Sequence, residues 1–147
     1  MPRQYPSHPL PGVLALMTRD DRILMVLRGK EPDKGKWGFP GGLVELGETV
    51  LAAALRELHE ETGLIAEAEA VMDVFEVITP DEDGRIRYHF VLNVVRCHWQ
   101  SGEAVAADDA AQVGWFSLAD IADPLLPCSS NVGRLARMAL AQTKTAD

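Results

Sequence analysis

GLVELGETVLAAALRELHEETGL, running from Gly42 to Leu64, carries the pattern from which the rest of the chain is read. From Thr49, a residue suited to an N-cap, a helix reaching Thr62 puts Leu51, Ala54, Leu55 and Leu58 on one apolar stripe. Gly63 follows where a helix closes in the left-handed conformation. Glu57, Glu60 and Glu61, spaced i, i+3 and i+4, fall together beside that stripe. Like charges about 4 Å apart repel by roughly 4 kcal/mol at an effective dielectric near 20. Something positive is therefore expected among the three acids, and a hard divalent cation suits them best.

Outward from the helix, strands and turns alternate. Val13 to Met17 and Ile23 to Arg28 are β-prone runs separated by Arg19, Asp20 and Asp21, which reads as a hairpin. Gly29 to Gly42 is a loop dense in Gly and Pro, with Lys30, Lys34 and Lys36 around Trp37. Beyond the helix, Val71 to Ile78 and Ile86 to Val95 read as strands joined by a turn at Asp81 to Gly84. In the second of them Ile86, Tyr88, Phe90, Leu92 and Val94 alternate with Arg87, His89, Val91, Asn93 and Val95, the period of a strand. A short strand at Val113 to Phe116 and a helix from about Asn131, striped by Val132, Leu135, Met138 and Ala139, complete the domain. Phe75, Tyr88, Phe90 and Trp37 read first as core. Residues 1–10 are proline-rich and form an extended arm, to which no function is given; residues 11–147 form a single domain.

A chain of 147 residues, 47% apolar, supports one sizeable core. Its formal charge of −8 excludes nucleic-acid backbone binding as the main activity, because that affinity comes from basic patches that release counterions. An anionic substrate would then need a metal to bridge it. No apolar run reaches the roughly 18 residues of a membrane span, and the start has no apolar signal core. No membrane partner and a cytoplasmic location are the expectations. Cys97 and Cys128 lack zinc-site spacing and read as structural thiols, and His59 reads as surface.

Written as a pattern, the stretch is Gly42, five residues, Glu48, seven residues, Arg56-Glu57-Leu58, one residue, Glu60-Glu61, one residue, Gly63-Leu64. This resembles the Nudix box at every defined position. With seven fixed residue types each near 7% frequency, a chance match is on the order of one in a million. The flank Gly35-Lys36-Trp37-Gly38-Phe39-Pro40-Gly41-Gly42 is similar to the entry to that box. The resemblance implies an α/β/α sandwich with a mixed β-sheet between helices, and Mg²⁺-dependent hydrolysis, with Mn²⁺ as the substitute ion, of a small nucleoside diphosphate linked to another group. Glu57 and Glu61 are the first candidates for metal ligands and Glu60 the third, with a backbone carbonyl at or near Gly42. Arg56 cannot bind a cation and is read as the group that orients Glu48 or Glu60.

Pro80, sixteen residues after Leu64, resembles a mark of the ADP-ribose pyrophosphatase branch, whose members are often homodimers. That points to ADP-ribose, cleaved to AMP and ribose 5-phosphate. The alternatives are a nucleoside triphosphate pyrophosphohydrolase acting on normal or oxidised nucleotides, and a non-catalytic nucleotide sensor. Relatives commonly place a further glutamate six residues before the tryptophan of the last strand; before Trp115 that residue is Asp109, one methylene shorter. The general base is thus Glu57 or Asp109. Arg28, Lys36 and Arg87 are the candidates for substrate phosphate contacts.

Overall fold

The computed structural model describes residues 3–145. β1 (Leu10–Arg19) and β2 (Arg22–Arg28) form the expected hairpin, turned by Asp20 (φ 51°) and Asp21 (φ 63°), both left-handed as a two-residue primed turn requires. The hairpin is only two pairs deep, Thr18 with Ile23 and Arg19 with Arg22. Beyond it the strands part, because short strands in the expected loop take their edges. β3 (Trp37–Gly38) pairs with Val26 and Leu27, and β4 (Gly41–Leu43) pairs with Gly12 to Leu14.

α1 (Val50–Thr62) has both predicted caps: Thr49 accepts from the Ala52 amide at 3.1 Å, and Gly63, at φ 75°, donates its amide to the His59 carbonyl at 2.8 Å. β5 (Ile65–Pro80) and β6 (Ile86–Ser101) make a long antiparallel hairpin, and β6 runs parallel to β1 from Leu10–Phe90 to Met17–Cys97. β7 (Ala110–Phe116) lies antiparallel to β2. A five-residue helix, α2 (Leu118–Ala122), is fixed by a Ser117–Asp120 capping box, and α3 (Val132–Thr145) is the last element among the described residues. None of the helices is long and apolar enough to cross a membrane among the described residues.

The sheet runs β3-β2-β1-β6-β5, with β4 on β1 and β7 on β2. It is covered on both faces, and strand alternation sorts its side chains between them. Val13, Ala15 and Met17 of β1, Leu24 of β2, and Val95 and Cys97 of β6 pack with Ala53, Ala54 and Leu58 of α1. Leu16, Ile23, Met25 and Val94 pack instead with Val132, Leu135, Ala136 and Ala139 of α3. Burial on both faces explains why β1 and β2 read as continuous apolar runs rather than alternating ones. Each such buried Leu, Ile or Met contributes roughly 1.5–3 kcal/mol. The expected α/β/α sandwich is the architecture observed.

The described part of the arm touches the domain at Gln4 and Tyr5. Tyr5 donates its amide to the Arg87 carbonyl at 2.7 Å and its hydroxyl to Asp81 at 2.8 Å, and the Arg85 guanidinium lies 4.3 Å above its ring. Gln4 donates to the Tyr88 hydroxyl at 3.1 Å. Gln4 and Tyr5 are thus clipped across the turn end of the β5–β6 hairpin.

Candidate active site

The second half of α1 lies against β4, and two glycines permit the approach. The Gly41 amide donates to Glu61 Oε2 at 2.8 Å, and a Cβ at Gly41 would overlap the Val13 carbonyl. A Cβ at Gly42 would overlap the Glu57 carboxylate. Any side chain there would push Glu57 out of place.

The register also separates the two glycine carbonyls. Ala15 donates to the Pro40 carbonyl and Val44 to the Pro11 carbonyl, so Val13 and Gly42 between them form a hydrogen-bonded pair. The Gly42 carbonyl is engaged in the ladder. Gly41, whose carbonyl faces away from β1, lines the cleft together with Glu61. Of the two glycine carbonyls, Gly41's and not the expected Gly42's is thus the one left open to the cleft.

Arg56 organises the acids. Its Nε donates to Glu48 Oε2 at 2.7 Å and its Nη2 to Glu48 Oε1 at 2.9 Å, a two-point grip. Nη2 also reaches the Leu43 carbonyl at 3.0 Å, while Nη1 reaches Glu57 at 2.9 Å and Glu60 at 3.3 Å. Glu48 pulls the Arg56 pKa upward, and Arg56 in turn holds the Glu48 carboxyl below its ordinary range. The three acids are not equivalent as expected from their spacing. Glu60 is exposed on the Arg56 side, whereas Glu61 is only 5% exposed. Burial, and then the Glu57 charge, push the Glu61 carboxyl up to about 8; burial raises Glu57 as well.

A buried Glu61 beside a half-buried Glu57, both with raised pKa values, is an environment that a divalent cation relieves. Among the described residues no three Asp, Glu, His or Cys side chains converge into a closed cation cage. Two carboxylates and one carbonyl, with the remaining positions open to water and phosphate oxygens, suit Mg²⁺, which keeps several waters and shares a substrate's phosphates.

Asp109 reaches the same corner through its loop. The amides of Val105 and Ala107 donate to the Thr62 and Glu61 carbonyls at 2.9 and 3.0 Å, so the loop between β6 and β7 is tied to the end of α1. Gly29 donates to the Asp109 carbonyl at 3.0 Å, and Lys30 Nζ lies 2.8 Å from Asp109 Oδ1. A small polar hollow is bounded by Gly41, Glu61, Asp109, Arg28, Lys30 and Arg3. This tether holds Asp109 at the edge of the hollow.

Beside the hollow opens a cavity of about 230 Å³. Phe39, Phe75, Tyr88 and Phe90 supply apolar walls, with Thr79, Ser129 and Ser130 as polar groups, and it shares Arg3, Arg28 and Gly41 with the hollow. All four aromatics expected in the core pack there, Trp37 against Phe116 with ring centres 4.8 Å apart, and Phe75, Tyr88 and Phe90 also line this cavity. Arg28 lies at the junction, its Nε donating to the Pro32 carbonyl at 2.6 Å. Lys36 is not brought to the site; it pairs with Asp33 at 3.6 Å. Arg87 is also outside it, since Tyr88, Phe90 and Leu92 line the cavity and strand alternation turns Arg87 to the other face. Arg3 was missed because no spacing marks it: tertiary contacts of Gln4 and Tyr5 bring it there.

Comparison with known proteins places this geometry. A domain description, NUDIX domain, matches residues 8–134. The ADP-ribose pyrophosphatase of Methanocaldococcus jannaschii is 40% identical over 114 residues, covering 76% of this chain; the chain spans 63% of that protein's length. The crystal structure of a MutT NUDIX hydrolase from Burkholderia pseudomallei superposes with a TM-score of 0.71 at 34% identity, covering 92% of this chain and 98% of that one. A bifunctional NMN adenylyltransferase/ADP ribose pyrophosphatase from Francisella tularensis, complexed with AMP and a manganese ion, gives a TM-score of 0.66 at 29% identity, covering 92% of this chain and 42% of that one.

Proposed function

This chain belongs to the Nudix family of pyrophosphohydrolase enzymes, and on that premise we propose that it hydrolyses ADP-ribose to AMP and ribose 5-phosphate with Mg²⁺. The observation that carries this reading is the aromatic cavity opening, through Arg3, Arg28 and Gly41, onto the hollow that holds Glu61 and Asp109. An adenosine fits the apolar part, and its diphosphate then lies at the carboxylates. The 40% identity to an ADP-ribose pyrophosphatase supports that substrate, and the AMP and manganese in the Francisella structure support an adenine nucleotide and a divalent ion.

Glu57, Glu61 and the Gly41 carbonyl would hold the ion, which when bound neutralises phosphate oxygens and acidifies water. Arg56 fixes Glu57 from behind, and the Gly41 amide fixes Glu61. Arg28 meets the phosphate at the mouth of the cavity. Water adds its oxygen to one phosphorus, the bridging P–O bond breaks, and the bridging oxygen leaves with the other phosphate. Asp109, set across the hollow from Glu61, is assigned the proton that the attacking water gives up. A homodimer belongs to the same proposal, supported by Ile65, Val71, Val74 and Ile78 exposed along the edge strand β5.

The test is turnover with Mg²⁺ on a panel of ADP-ribose, NADH, dinucleoside polyphosphates, nucleotide sugars and normal and oxidised nucleoside triphosphates, with products identified by chromatography. ADP-ribose should give the highest kcat/KM and AMP as product. Preference for a triphosphate would overturn the substrate, and no turnover on any of them would leave a sensor. For the base, Asp109→Asn should lower kcat by about 10²-fold. An unaltered rate would return that role to Glu57.

A further inference from the structure

Three cations border the hollow, and two of them have a partner within the protein. Lys30 is ion-paired with Asp109 at 2.8 Å, and Arg28 donates its Nε to the Pro32 carbonyl. Arg3 has neither a hydrogen bond nor an ion pair within the described residues, yet it lines both the hollow and the aromatic cavity. Its position is not that of a loose end. The two residues after it are fastened to the β5–β6 hairpin by the Tyr5 amide on Arg87, the Tyr5 hydroxyl on Asp81, the Arg85 guanidinium over the Tyr5 ring, and Gln4 on the Tyr88 hydroxyl. Tyr88 itself lines the aromatic cavity. An arm pinned at four points thus delivers an unpaired guanidinium to the border between an apolar cavity and an acidic corner.

A guanidinium left unpaired beside carboxylates has a use when an anion arrives. Its fork matches two phosphate oxygens, and its charge offsets the repulsion that Glu57, Glu61 and Asp109 exert on a diphosphate. We propose that Arg3 is a specificity residue that grips the substrate diphosphate, and that the N-terminal arm serves as a strap whose seat on Tyr88 and the hairpin turn fixes where that grip falls. This rests on reading the cleft as a nucleoside diphosphate site, and it adds a residue outside the box that selects phosphorylated over unphosphorylated nucleosides.

Calorimetric titration of ADP and of adenosine into the full chain tests it without turnover, both in EDTA and with Mg²⁺. Wild-type protein should bind ADP more tightly than adenosine. Arg3→Ala should weaken ADP by about tenfold, the worth of one exposed charge-assisted contact, and leave adenosine unchanged. Tyr5→Ala, which unfastens the strap but keeps the charge, should reproduce most of that selective loss. Arg3 is exposed, so its removal should leave the melting temperature as it was. An Arg3→Ala protein that holds ADP as tightly as wild type overturns the assignment, as does a wild type that does not prefer ADP to adenosine. Should ADP-ribose fail as a substrate while ADP affinity still falls with Arg3→Ala, the strap stands and only the choice of substrate changes. Should ADP-ribose turn over normally in a variant with unaltered ADP affinity, the substrate stands and Arg3 has no part in it.

Discussion

Glu61→Gln is expected to lose at least ~10²-fold in Mg²⁺-dependent turnover and, in the absence of metal, to melt at a higher temperature than wild type above neutral pH. The two effects share one cause. Glu61 is buried against Gly41 beside Glu57, and its carboxyl is pushed up to about 8 by burial first and by the Glu57 charge second. A group whose folded pKa lies above its unfolded one favours the folded state most below the unfolded value, and that contribution is lost as pH rises through the folded value. For Glu61 the loss spans the range from its ordinary value near 4.5 to about 8. Its slope approaches roughly 1.4 kcal/mol per pH unit, because one proton is released on unfolding. The metal-free wild type should therefore melt at progressively lower temperature from pH 5 to pH 8, as ~1.4 kcal/mol per unit implies. Glutamine keeps the shape and cannot ionise, so the slope should shrink. Mg²⁺ should raise the wild-type melting temperature most at alkaline pH, where both acids are ionised, and should do little for Glu61→Gln. Glu57→Gln should match it in rate. Metal-free melting curves that superpose for wild type and Glu61→Gln across this range would show that Glu61 carries no buried charge, and undiminished Mg²⁺-dependent turnover in both variants would remove the acids from the site.

The second large effect belongs to Arg56→Lys, a substitution that preserves charge. One guanidinium serves Glu48 at two points, Glu57, Glu60 and the Leu43 carbonyl. A lysine ammonium is a single point with three donors and cannot span them. Loss of charge-assisted bonds of this kind costs about 1.5–3 kcal/mol, and the remaining exposure of the side chain keeps the figure toward the lower end. The larger consequence is for rate: Glu57, no longer held from behind, leaves its seat against Gly42, and a displacement near 1 Å at a reacting centre is worth up to about 10²-fold. Turnover should fall by that order with KM altered less, and denaturant titration should register the stability loss. A lysine variant with wild-type kcat would mean that Glu57 is positioned by Gly42 and packing alone. Glu48→Gln, which leaves Arg56 in place but weakens its anchor, should fall between the two.

Much of this was legible in the chain because it is written in local terms. The caps at Thr49 and Gly63, the apolar stripe through Ala54 and Leu58, and the alternation from Ile86 to Val95 each depend on near neighbours in sequence. The parts that escaped depend on distant ones. β3 and β4 are two and three residues long and exist because β2 and β1 offer free edges to pair with. The first third of β5 is the run Ile65-Ala-Glu-Ala-Glu-Ala70, poor strand formers that extend because β6 pairs along them. The spacing of Glu57, Glu60 and Glu61 predicted a shared edge, but not that burial would single out Glu61 and leave Glu60 in solvent. Lys36 and Arg87 have the right charge for phosphate and the wrong address, which only the pairing of β2 with β3 and the facing of β6 decide. Arg3 is the converse case: an arm without periodicity brings it to the edge of the hollow.

The tie between the Val105 and Ala107 amides and the last carbonyls of α1 is made by main chain alone. Amides are supplied by any residue other than proline, so nothing in that clasp specifies the side chains from Gly102 to Ala107. Its length is another matter, since adding or removing a residue would carry Asp109 past Glu61 or short of it. Apart from Gly102, at φ 98°, and Ala104, which packs on the core, the segment should therefore drift in composition while its span is held fixed, the reverse of the usual surface loop, which tolerates insertions. Heredity can rewrite the letters of this segment, but their number is set by the distance it must measure.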